Sequence, residues 1–64
     1  MININFYEVE DQRGRFMGAY STKFDSEINL GISSLGMAQI NARQNGGKIY
    51  SVSYEGEREL VWPK

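Results

Sequence analysis

Residues 2–9, ININFYEV, alternate apolar and polar positions with the two-residue period of a half-buried strand. The alternation predicts Ile2, Ile4 and Phe6 on the core side and Asn3, Asn5, Tyr7 and Val9 on the other. The polar run EDQRGR follows, and its Gly14 can take the positive φ that a tight hairpin requires. Arg15 to Thr22, RFMGAYST, reads as the returning strand, with Gly18 marking a bulge or a close approach. Further on, KIYSVSY (48–54) and RELVW (58–62) read as two more strands joined by a turn at Gly56. Pro63 ends the last of them, because proline cannot donate to a ladder.

A helical segment separates the two hairpins. Asp25 or Ser26 can cap its start, Glu27 suits its first turn, and Asn45-Gly46-Gly47 closes it with residues that tolerate the left-handed conformation. Advancing about 100° per residue from Ile28, the positions Ile32, Leu35, Ala38 and Ala42 fall within roughly 80° of it, a stripe fit to face a sheet. Leu30, Met37 and Ile40 point elsewhere on the same wheel, among the uncharged Ser33, Asn41 and Gln44. A competing reading starts the helix near Ser33 or Ser34. Ile28, Leu30 and Ile32 also alternate as a strand would, and Gly31 and Gly36 each weaken a helix by about 1 kcal/mol relative to Ala.

The order β-β-α-β-β predicts one α+β domain over residues 1–64, an antiparallel sheet with a single helix packed on one face. A chain of 64 residues buries only about 60% of its unfolded surface, so its stability margin is thin. The sequence has no Cys and no His, which removes disulfides, thiolate nucleophiles, imidazole triads and the usual zinc ligand sets. The expected setting is a reducing cytoplasm, since small secreted scaffolds lean on cysteine, and no apolar run is long enough to span a bilayer. The N-terminal residues lack the basic and apolar regions of a signal peptide.

Seven basic and eight acidic residues leave a formal charge of −1, which argues against binding driven by many phosphate contacts. Glu55, Glu57 and Glu59 alternate around a turn, but a charged edge explains them more simply than a cation site, and EF-hand spacing is missing. Neither phosphate-cradling glycine motif is present. No metal or cofactor is expected. An enzyme is not expected either, because carboxylate catalysis needs a pocket that so small a fold hardly supplies.

Binding is the chemistry that remains. Between Glu27 and Arg43 there is no charged residue, whereas a solvated helix of that length carries several. An uncharged, partly apolar surface has the composition of an interface core. The expected function is therefore a small protein-binding module, an adaptor or inhibitor of a larger protein, and the same face would serve a homodimer. Leu30, Met37, Ile40 and Gln44 are the expected contact residues, with Ser33 and Asn41 supplying hydrogen bonds. Size alone suggests a regulatory protein of a phage or mobile element. The alternative is a nucleic-acid binder that stacks bases on a sheet face bearing Tyr7 and Tyr20, flanked by Arg13, Arg15 and Lys48. Trp62 is expected to share a strand face with Leu60 and to close one end of the core.

Overall fold

The structure, a computed structural model, describes residues 3–27 and 32–63. Its elements are β1 (Ile4–Glu10), β2 (Phe16–Ser21), a 3-10 turn (Thr22–Glu27), α1 (Ser34–Asn45), β3 (Lys48–Ser53) and β4 (Arg58–Trp62). The strands form one antiparallel sheet in the order β2-β1-β3-β4, with α1 lying across one face over β1 and β2. The α+β architecture and the element order are those the sequence predicts. Gly14 (φ 80) and Gly56 (φ 90) turn the two hairpins in the left-handed region open to glycine.

Three irregularities decide which side chains face the helix. A register shift between Ile4 and Phe6 inserts one residue into β1, so Ile4 joins Tyr7 and Val9 on the helix side. Phe6 falls on the opposite face beside Val52. This overturns the expected pattern, in which Ile4 and Phe6 shared the core side and Tyr7 and Val9 pointed away. The alternation carries no mark of the extra residue, and the bulge reverses the phase of everything after it. Thr22 secures the spot, its hydroxyl lying 2.8 Å from the Ile4 carbonyl and 2.9 Å from that of Asn5. Similar shifts occur in β2 next to Gly18 and between β3 and β4 next to Ile49.

The core is a cluster of Tyr7, Val9, Ala38, Ala42 and Ile49, with Ile4, Leu35, Tyr20, Val61 and Trp62 packed around it. Trp62 thus reaches the core, but it does not share a face with Leu60 as expected: the register shift next to Ile49 leaves Leu60 across from Tyr50 on the far face, exposed. The face of α1 that meets the sheet is Ser34, Ala38 and Ala42, all fully buried. Side chains this short let the helix lie close over the sheet, whose Tyr and Trp rings supply the bulk.

The helix begins at Ser34, with Ser33 as its N-cap accepting from the Gly36 amide at 3.1 Å. The longer helix expected from about Ile28 is corrected accordingly. Asp25 still serves the helix start, but from nine residues upstream, its carboxylate accepting from the Ser34 amide at 2.8 Å and the Ser34 hydroxyl at 3.0 Å. Asp25 itself lies in the 3-10 turn, and Ile32 and Ser33, just before α1, are not helical. Ile32 precedes the cap and is 42% exposed, so it is not part of the sheet-facing stripe. Ile2, Ile28, Leu30 and Gly31, also assigned roles from the sequence, lie outside the described residues.

At the other end, Gly46 (φ 63) donates to the Ala42 carbonyl in a left-handed cap, and the Gly47 amide reaches the same oxygen at 2.9 Å. Gly47 then passes so close to β1 that a Cβ would overlap the Glu10 carbonyl oxygen. That contact is backbone against backbone and cannot be relieved by a rotamer change. Gly47→Ala should therefore cost more than about 1 kcal/mol, read as a lowered midpoint in urea unfolding, whereas a change within about 0.3 kcal/mol would contradict the close approach.

Candidate functional site

Beside the edge strand β2, the outward side of α1 and the strand frame an open groove of about 350 Å³, lined by Met17, Tyr20, Met37, Ile40, Asn41, Gln44 and Asn45. Its apolar side chains are well exposed, Ile40 at 49%, Met17 at 39% and Met37 at 37%. The floor is polar and closed on itself. Asn41 Nδ2 donates to the Tyr20 hydroxyl at 2.8 Å and to the Met17 carbonyl at 3.2 Å, and Asn41 Oδ1 accepts from Asn45 Nδ2 at 2.7 Å. These bonds pin the helix to β2 and hold the groove open at a fixed width.

Four of the expected contact residues, Met37, Ile40, Asn41 and Gln44, meet here. Asn41 does not supply free hydrogen-bonding groups, because its amide is engaged inside the chain. Ser33 is likewise occupied as the helix cap and does not line the groove. Leu30 is outside the described residues. Met17 was missed. Its signal was Gly18, because the bulge there turns Met17 toward the helix side instead of leaving strict alternation to place it.

The groove adjoins a recess lined by Asp11, Gln12, Arg13 and Arg15, with Met17, Gln44 and Asn45 common to both. Asp11 organises this hairpin tip. Its nearly buried carboxylate accepts the amides of Arg13 at 2.8 Å and Arg15 at 2.9 Å and the Arg15 Nε at 2.8 Å. The Arg15 amide chiefly holds the Asp11 pKa below the ordinary aspartate value, helped by the Arg15 side chain and the Arg13 amide and opposed by desolvation. The acid is thus paired with Arg15 within the loop, while the Arg13 side chain faces solvent.

The other proposed surface is not assembled. Tyr7 is buried under the helix, where burial and then the Asp25 charge raise its pKa, and Tyr20 bonds Asn41 on the same covered side. Lys48 starts β3 opposite Glu10 and is exposed. On the uncovered face, Tyr50 lies beneath the Arg58 guanidinium at 4.3 Å, and Arg58 bonds Glu8 and Glu10 at 3.0 Å each. That ring is capped by its own chain, with carboxylates beside it. Among the described residues no three carboxylates come together as a metal site, and no helix is long and apolar enough to cross a membrane.

Comparison with models of known protein families, with curated protein sequences and with solved structures finds no match to this chain.

A folded-state carboxylate with a lowered pKa adds stability that is present above the unfolded pKa, near about 3.9, and is lost as pH falls through the folded value. Stability should therefore decline as pH drops from about 5 toward 2. Asp11→Asn should be less stable at neutral pH and show a shallower acid decline; parallel urea midpoints for the two proteins across that range would contradict the role given to Asp11.

Proposed function

We propose that this chain is a small non-enzymatic protein-binding module, an adaptor or inhibitor that acts by seating part of a larger protein in the groove between α1 and β2. The observation that supports this reading is the exposure of Met17, Met37 and Ile40 side by side over a floor whose amide donors are already bonded within the chain. Burying such a floor against a partner leaves the Asn41 and Asn45 amide donors paired and one donor, the Tyr20 hydroxyl, for the partner to meet, and adaptable methionines suit a docking surface. The exposed Gln44 amide at the rim offers the directional contact.

Selection of displayed random octapeptides on the immobilised protein tests this reading. The expected ligands lose at least about tenfold in affinity against Met37→Glu, which places a charge in the groove without touching the buried face of the helix. Ligands indifferent to Met37→Glu, or none at all, would remove the groove as the binding site.

A further inference from the structure

The two edges of the sheet are built differently. β4 carries Arg58 and Glu59, follows Glu55 and Glu57, and is stopped by Pro63, the usual means of keeping an edge from pairing with other chains. β2 pairs with β1 alone, and from Phe16 to Ser21 it contains no charge and no proline. Its bulge lies at the Phe16 end, next to Gly18, so the stretch from Gly18 to Ser21 keeps an unbroken register with β1. An unpaired strand edge offers a row of backbone donors and acceptors, here over Gly18 to Ser21 because the Met17 carbonyl already accepts from Asn41, and the apolar groove runs beside it.

Charge adds a direction. At the start of β2 stand Arg13 and Arg15; Arg15 is paired with Asp11, so the tip keeps one positive charge in excess, presented by the exposed Arg13. A strand lying antiparallel to β2 would bring its C-terminal end to these two arginines and its helix-side residues over Met17, Met37 and Ile40.

Building on the groove as the binding site, we propose that its occupant is an extended segment of another protein that adds as an antiparallel strand to β2. Its alternate residues are apolar, and acidic residues follow at its C-terminal end. A second copy of this chain fits less well. Laid antiparallel, the β2 of a second copy would bring the uncharged Tyr20-Ser21 to the arginine end, with no acid in the strand to meet it.

The ligands obtained by display selection test the proposal directly. The expected sequences alternate apolar residues and end in Asp or Glu, and their binding slows hydrogen exchange at the amides of residues 18–21. Replacing the terminal acids by Lys should weaken binding about tenfold, and Arg13→Glu should recover the Lys-ended peptides at the expense of the acidic ones. Ligands that require Met37 but leave the β2 amides unprotected, or that bind as helices, overturn strand addition while the groove reading stands. Ligands that pair with β2 but show no preference between acidic and basic ends overturn the acidic occupant. A wild-type chain that sediments as a dimer with its own β2 amides protected makes the second copy the occupant and overturns the proposal.

Discussion

Ala38 and Ala42, fully buried in one cluster with Val9 and Ile49, set how near α1 can lie to the sheet. Methyl-sized side chains on the buried face bring the helix close, and the sheet answers with Tyr7, Tyr20 and Trp62. Interiors fill to near-crystal density, so a larger residue at either alanine would lift the helix and open gaps around these rings. Because the helix gives its smallest residues to the core, its larger ones, Met37 and Ile40, are left on the side that overlooks β2. The groove is thus a by-product of how the core is packed, held in shape by the Asn41 bonds to Met17 and Tyr20.

The same packing accounts for the asymmetry of the molecule. α1 sits over β1 and β2, tied to β2 by Asn41 and to the 3-10 turn by Asp25. The acidic residues of the second hairpin stand apart on the β4 side, while Arg13 and Arg15 mark the β2 side. One edge is charged and closed by proline, and the other is bare and bordered by apolar side chains. Affinity and orientation would then come from different groups, backbone and methionine for the first and arginine for the second.

Element order, both hairpin turns, and β4 to the residue could be read from the sequence, because they depend on local signals: glycines with positive φ, β-branched and aromatic runs, and a terminating proline. The faces of β1 could not. They depend on a one-residue bulge near Asn5 that is stabilised by Thr22, a partner distant in sequence. The start of α1 was legible only as an alternative: Ser33 caps it by the local rule, but Asp25 and Ser26 offered equally good local caps, and Asp25 in fact reaches the helix start from nine residues away. Met37, Ile40 and Gln44 were identifiable as a second face from the lack of charge around them. Met17 entered only when the fold brought β2 alongside, and Asn41 and Ser33 proved to be structural ties whose partners no helical wheel shows.

The central claim is that the apolar residues beside β2 are surface for contact and not part of what holds the chain folded. The urea-unfolding stability of Ile40→Gln tests it most directly, because Gln keeps the length and helix propensity of the position while removing its apolar tip. The account predicts a loss below about 1 kcal/mol, as for a half-exposed side chain. A loss of about 2 kcal/mol or more would place Ile40 in the core and contradict the account.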